Sequence, residues 1–349
     1  MAGVRGQMAG EKGQMAGENI QIAGRGVAKR GMYVYHAPAL SSFLLFHPPF
    51  VTLLEAKPLE SKRTHIAQIM KAADQRNKRQ GNDEVILPGE VAELHFPEGA
   101  SLSLAASKMF VQLVQEAMPS ITEDKEHTIP LAMLNKAHKG GGWVETAVRE
   151  LQRTIIEIDV KSRKGRQAKR SAPILTEVTR EIDTEVGELT YEFSKTFRQI
   201  VTNSNHWASI HARAVLAMEG KYTVWLYQLC CLKMRLRECE FTYDLDDLRS
   251  RLGANAPSLK RWQEFKRRAL EPAIAEIQHI TGIDVDYVPV KRARKVIGVT
   301  LIIGEKQGEA VEEAKKELNN VRTGRKARRM GMVEKITAEK EELKKAFKR

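Results

Sequence analysis

The chain predicts an α+β protein organised around one unit: a strand, a short helix, a turn, a second helix and a two-stranded ribbon with a basic tip. Three observations predict it. Glu240-Phe241-Thr242-Tyr243 is strand-like and runs into a short helix, Leu245 to Leu252, closed by Gly253. The segment Pro257 to Arg268 opens a second helix with a regular apolar face. Ile283 to Val288 and Lys295 to Ile303 then read as strands on either side of Lys291-Arg292-Ala293-Arg294. That order is the plan of a winged helix-turn-helix. In such a module the second helix lies in the DNA major groove and the turn between the last strands touches backbone.

The second helix carries the chemistry. Ser258 stands as N-cap behind Pro257. Leu259, Trp262, Phe265, Ala269, Ala273 and Ile277 recur at three- and four-residue steps and face inward. Lys260, Arg261, Glu264, Arg267 and Arg268 fall on the other side, and five of the nine residues from Lys260 to Arg268 are basic. Arginine grips guanine bidentately and a carboxylate accepts from the cytosine amino group, so one acid among many bases suits base reading. The competing reading is a solvated face with Glu264 paired to Lys260 or Arg268 at helical spacing.

The run YTVWLYQL, FTYDLDDLRSRLG, LKRWQEFKRRALEPAIAEI and GIDVDYVPVKRARKVIGVTLII, from about Lys221 to Ile303, resembles the C-terminal winged helix of plasmid replication initiators. These are Rep proteins that bind repeated origin sites called iterons. The resemblance implies two tandem winged helices and no catalytic site. It implies that Arg261, Glu264 and Arg267 face iteron bases, with Ser258, Lys260, Lys266 and Arg268 nearer phosphates. Lys291, Arg292, Arg294 and Lys295 form the wing. Pro272 departs from a regular helix and allows either a kink after Glu271 or a second helical start.

A diverged first copy is expected within residues 85–205. Val85 to Phe96 supplies a strand and Leu102 to Met118 an amphipathic helix. Ile129 to Ala137 and Trp143 to about Thr154 read as two further helices, and Ile155 to Val160 as a strand. Lys161, Arg163, Lys164, Arg166, Lys169 and Arg170 then form a long positive wing, before a strand-like Ile174 to Ile182. Leu189 to Val201 fits either strand or helix, and Trp207 to Met218 reads as a helix. The expected division is therefore 1–60, a low-complexity region; 61–84, a basic linker helix; 85–205, a first module for dimerisation and DNA backbone contact; 206–304, a second for iteron recognition; and 305–349, a charged helical tail. Within the tail, Arg322 to Arg329 is basic enough to add sequence-independent DNA affinity or to serve as a partner-binding arm.

Residues 1–26 repeat with a period of seven, as MAGVRGQ, MAGEKGQ, MAGENIQ and IAGRGVA. Glycine at that density opposes a helix, so disorder is expected. Seven codons span 21 nucleotides, so the repeat is either low-complexity drift or the translated image of direct DNA repeats. In the latter case the physiological start lies downstream of Met1, at Met32 or Met70; on the sequence alone all three stay open.

Composition sets the bounds. The 349-residue chain carries an excess of 13 positive charges, which points to a polyanionic partner, nucleic acid before membrane. Cys230, Cys231 and Cys239 give no disulfide framework and suit the cytoplasm. No Cys/His metal spacing, P-loop or H-x-H triplet occurs, so neither metal nor cofactor is expected. Asp244, Asp246 and Asp247 open a helix, where carboxylates cap and offset the dipole. The longest apolar run, Phe43 to Leu54, is broken by His47-Pro48-Pro49 and is too short to span a bilayer.

Together with the resemblance, the expected function is a non-enzymatic, plasmid-encoded initiator in a bacterial cytoplasm. It would bind iterons in double-stranded DNA, open an adjacent AT-rich stretch, and recruit the host initiator and replicative helicase. The resemblance also implies a dimer that represses its own gene at an operator inverted repeat, a monomer that starts replication, and hence copy control. The alternatives are a winged-helix transcriptional repressor without origin function and a primase or polymerase.

Overall fold

The computed structural model describes residues 66–96, 101–135, 142–161, 164–181, 187–236, 239–320 and 324–330. All lie within the second of two units, Leu59–Arg349; the first is Met1–Pro58. The seven-residue repeats and Phe43 to Leu54 therefore fall outside the described residues.

Helix α1 (Ile66–Gln80) turns Ile66, Met70 and Ala73 into the core and its basic residues outward. It ends where Gly81, at φ +65°, returns its N–H to the Asn77 carbonyl at 2.9 Å. Asn77 also brackets the next strand, donating to the Glu84 carbonyl at 2.7 Å and accepting its N–H at 3.0 Å. Strand β1 (Glu84–Pro88) gives way at Gly89 to the single turn α2 (Gly89–Ala92), so the strand expected to run to Phe96 is shorter. Gly89 is required there, because a Cβ would stand 2.0 Å from the His206 ring.

Helix α3 (Leu104–Ala117), capped by Ser103 Oγ at 3.2 Å from the Ala106 N–H, is the buried spine of the first module. Strand β2 (His127–Pro130) and helix α4 (Leu131–Asn135) replace the expected helix from Ile129, since Pro130 and the pairing of β2 take the first residues into a sheet. Helix α5 (Trp143–Arg153) follows Gly142, then the hairpin β3 (Ile155–Lys161) and β4 (Gln167–Pro173). Strands β5 (Leu175–Arg180) and β6 (Glu188–Phe193) complete a sheet of order β2-β6-β5. The stretch of ambiguous period resolves into β6 and α6 (Lys195–Asn203), divided at Ser194, whose Oγ accepts the Phe197 N–H at 3.2 Å.

Residues 207–218, expected as one helix, form strand β7 (Trp207–His211) and helix α7 (Ala212–Ala217). The cause is tertiary. β7 pairs antiparallel with β1 from Glu84↔His211 to Pro88↔Trp207, burying Ala208 and Ile210 and leaving Ser209 and His211 exposed. Helix α8 (Lys221–Arg235) is then buried from Thr223 to Leu232. On one side Trp225 stacks edge-on to Phe96 with centroids 4.8 Å apart and donates to Ser107 Oγ at 3.2 Å; another face packs on the second module. Burying such side chains stabilises by ~1.5–3 kcal/mol each. Cys230 and Cys231 lie here, and burial pushes the Cys231 thiol up to about 12.

The second module runs β8 (Glu240–Asp244), α9 (Leu245–Arg251), a 3₁₀ turn (Pro257–Leu259), α10 (Trp262–Phe265), a π turn (Lys266–Leu270) and α11 (Glu271–Ile280). Strands β9 (Ile283–Arg292) and β10 (Lys295–Glu305) follow, and the sheet order is β8-β10-β9. Helix α12 (Glu309–Asn319) packs on α11. Both modules thus show the helix–strand–helix–helix–ribbon order of a winged helix. Among the described residues no helix is long and apolar enough to cross a membrane.

Candidate nucleic-acid interface

The segment expected to read bases is positioned by the turn before it. Gly253, at φ +63°, ends α9, and a Cβ there would stand 3.0 Å from Ser101 and 3.4 Å from the Phe96 ring. The turn is bolted to the incoming chain: Ser250 Oγ and Asn255 Nδ2 both donate to the Phe96 carbonyl, at 2.9 and 2.6 Å. Arg249 is 6% exposed. It lies over the Phe265 ring, holds Asp246 at 2.8 Å and donates from Nη2 to the Lys260 carbonyl at 2.5 Å.

That last contact moves the helix start. A helix begun at Ser258 would aim the Lys260 carbonyl along its axis at the Glu264 N–H, but Arg249 takes it. Ser258 therefore lies in the 3₁₀ turn and caps nothing; Arg261 remains extended, and α10 begins at Trp262. The apolar residues read from periodicity do face the core. Leu259, Phe265, Ala269, Ala273 and Ile277 are buried, and Trp262 packs edge-on to Tyr287 at 6.2 Å.

The polar face divides in two. Lys260, Arg261, Gln263, Arg267 and Arg268 are exposed, whereas Lys266 is half-buried against Glu271 at 3.3 Å. Glu264 accepts from Arg267 at 3.0 Å and approaches Arg268 at 3.5 Å. The intrahelical pairing read as the competing interpretation is thus present, with Arg267 as an additional partner. Such exposed pairs contribute little and exchange readily for other partners.

Between this segment and the ribbon opens a groove of about 1310 Å³. Lys260, Arg261 and Lys266 line one wall; Lys291, Arg294 and Lys295 line the other, with Tyr287 and Pro289 between. These bases outnumber the acids Asp246, Glu264, Glu271 and Asp286 that also line it. Gln263, exposed on the same wall, was missed by reading charge alone. A glutamine amide reads adenine bidentately, and its place between Arg261 and Glu264 was the available signal.

The ribbon tip is a two-residue turn, with Arg292 opposite Lys295. Lys291, Arg292, Arg294 and Lys295 are all exposed. Ala293 holds φ +53°, where a Cβ is strained. Ala293→Gly is expected to raise unfolding stability by about 0.5–1 kcal/mol, the relief of strain less the added freedom of the unfolded chain. Urea titration measures it.

Residues 96–231 match the family model of the initiator replication protein WH1, and residues 244–303 that of the initiator Rep protein WH2. Together the two matches span more than half of the chain. The chain belongs to the initiator Rep protein family. Its two modules are the winged helices of that family, and DNA binding is what such modules do. Among solved structures, the chain is similar to the Pi initiator protein in complex with iteron DNA. The identity is 18%, covering 65% of this chain and 99% of that one, with a TM-score of 0.47. No curated protein matches the sequence.

In the first module of this Rep protein, the basic hairpin is β3–β4. Lys161, Lys164, Arg166, Lys169 and Arg170 are exposed on it, and Arg170 donates to Gln199 on α6 at 2.5 Å. Arg163 lies outside the described residues. Helix α5 has a mixed face, with Arg149 paired to Glu145 at 2.5 Å.

The basic run of the tail is where the Rep chain departs most from expectation. Of Arg322 to Arg329, Arg325 is 3% exposed and donates to the carbonyls of Ala217, Glu317 and Asn320. Arg328 grips the Glu317 carboxylate at 2.7 and 2.9 Å, and Arg329 reaches the buried Glu276 at 3.2 Å. Here the arginines serve as a strap across α7, α11 and α12. The carboxylates of Glu276 and Glu317 turn them inward.

Burial alone would raise the Glu317 carboxyl, but hydrogen bonds from Arg328 and Asn320 and the charge of His279 bring it down to about 2. A carboxyl depressed below its ordinary 4.5 contributes stability that is complete above about pH 4.5 and lost as pH falls toward 2. Glu317→Gln is therefore expected to be less stable than wild type at pH 6, with the gap closing as the solution is acidified through that window. Paired thermal melts test this. Among the described residues no group of three His, Cys, Asp or Glu is arranged to hold a metal.

Proposed function

We propose that this initiator binds iteron repeats in the double-stranded DNA of a plasmid origin, with Arg261, Gln263, Glu264 and Arg267 toward bases. Ser258, Lys260, Lys266 and Arg268 lie nearer phosphates, and Lys291, Arg292, Arg294 and Lys295 hold the flanking backbone. Lys161, Lys164, Arg166, Lys169 and Arg170 contribute the backbone contacts of the first module, which also carries the dimer contact. The bound protein opens an adjacent AT-rich stretch and recruits the host initiator and replicative helicase. As a dimer it represses its own gene, and it acts in a bacterial cytoplasm without catalytic chemistry of its own.

The observation that supports this most directly is the groove whose two walls, a helix start and a ribbon tip, are both basic. A duplex backbone fits between such walls while the helix reaches base edges. Footprinting on the DNA around the start codon, at two salt concentrations, tests it. Regular protection spaced near the 21 nucleotides of one sequence repeat, lost in Arg261→Ala/Arg267→Ala, is the expected result. Salt-sensitive binding with no preferred site, unchanged by the double substitution, would overturn it. Arg267→Ala alone is expected to cost ~1–3 kcal/mol and relax preference at one base position. Equal weakening on every sequence would assign that residue to phosphate instead. A plasmid-maintenance assay separates the initiator from a repressor of the same fold.

A further inference from the structure

The base-reading segment contains one turn that a regular helix does not supply. Between Lys266 and Leu270 the backbone widens to a π turn, and the Glu271 N–H closes on the Lys266 carbonyl, five residues back. Two features place it. Pro272 has no N–H, and its ring crowds the carbonyl four residues back, that of Arg268. The apolar positions also drift. At about 100° per residue, Trp262 and Phe265 centre roughly 80° from Ala273, Ile274, Ile277 and Ile280, close to one residue's rotation. One extra residue in a wide turn lets both ends face the core.

This has a consequence for hydrogen-bond acceptors. In an α register the Arg267 carbonyl would receive the Glu271 N–H, which is committed to Lys266. In a π register it would receive the N–H of residue 272, which proline lacks. The Arg268 carbonyl loses the same α donor but keeps the Ala273 N–H as its π-register donor. Arg267 is exposed, on the side of the helix away from Phe265 and Ala269.

We infer that the main-chain carbonyl of Arg267, left without a regular helical donor by the π turn and Pro272, accepts a hydrogen bond from an exocyclic amino group in the major groove. This rests on the base-reading role proposed above for the segment. Adenine and cytosine present a donor there, whereas guanine and thymine present acceptors. The contact therefore selects an amino base over a keto base at one position, and it does so through backbone. π turns recur at functional sites, where they re-aim the chain.

Pro272→Ala tests this without altering any charge. The new N–H at position 272 closes on Arg267 in a π register, and in an α register it closes on Arg268 while the Glu271 N–H shifts to Arg267, so the Arg267 acceptor is occupied either way. Binding is measured for wild type and variant on the footprinted repeat and on an unrelated duplex. A second series replaces each adenine or cytosine of the repeat in turn by the analogue lacking its exocyclic amino group. The variant is expected to lose about tenfold in affinity for the repeat while keeping its affinity for unrelated DNA. Wild type should lose a similar factor at one analogue position to which the variant is indifferent. Full retention of repeat preference by Pro272→Ala, or identical analogue sensitivity in both proteins, overturns the inference. Absence of any repeat preference in wild type would instead overturn the base-reading function beneath it.

The Gln263 amide oxygen and the Glu264 carboxylate are the other acceptors on this face, so the analogue series is repeated in Gln263→Ala/Glu264→Ala. This arm decides the matter even if Pro272→Ala folds poorly. An amino-dependent position that survives in Gln263→Ala/Glu264→Ala supports the carbonyl, and loss of all amino dependence assigns the contact to those side chains.

Discussion

Glu276→Ala is expected to lower the unfolding free energy by about 3–5 kcal/mol, the cost of stripping one side from a buried charged network. Glu276 is 2% exposed on α11. Its carboxylate accepts from the Glu219 N–H at 2.6 Å, the Gly220 N–H at 3.0 Å, Thr223 Oγ1 at 2.6 Å and Arg329 at 3.2 Å. Two of those donors open helix α8, so the substitution leaves the helix start unsatisfied as well as a stranded arginine. Arg329→Ala should cost less, about 1–2 kcal/mol, because the carboxylate keeps three donors. Denaturant titration of both variants checks the order; an Arg329→Ala loss exceeding that of Glu276→Ala would contradict this account.

The second large effect is on binding. Replacing Lys291, Arg292, Arg294 and Lys295 together by alanine removes the cations of the ribbon tip, of which Lys291, Arg294 and Lys295 line the groove. If each neutralises one phosphate, the slope of log affinity against log salt falls by about 3–4, and affinity at physiological salt drops by about two to three orders of magnitude. All four side chains are exposed at the tip end of the β9–β10 ribbon, so the melting temperature should hardly move. Fluorescence anisotropy across a salt series reads slope and affinity together. An unchanged slope would place the wing away from the backbone.

The second module was legible because its information is local. Apolar spacing from Leu259 to Ile277, Gly253 at the turn and the basic tip at Lys291 to Lys295 each act within a few residues. The start of the reading helix was not legible, since it depends on Arg249 reaching the Lys260 carbonyl across the turn. Residues 207–211 form a strand because β1, more than a hundred residues earlier, presents an edge to them; their own sequence suits a helix equally. The tail arginines looked like a DNA-binding run because Glu276 is remote from them in sequence and Glu317, though near, meets them only once the chain turns back after α12. Gln263 was passed over because it carries no charge.

The strap also has a bearing on how the protein is made. Arg325 reaches back 108 residues to the Ala217 carbonyl, and Arg329 supplies the counter-charge of Glu276. On the ribosome, the whole of β8 to β10 is synthesised before the arginines that clamp helix α11. A nascent chain, or one cut short between α12 and Arg325, carries that module still missing its clamp, so the contacts that tie α7, α11 and α12 together form only late in synthesis.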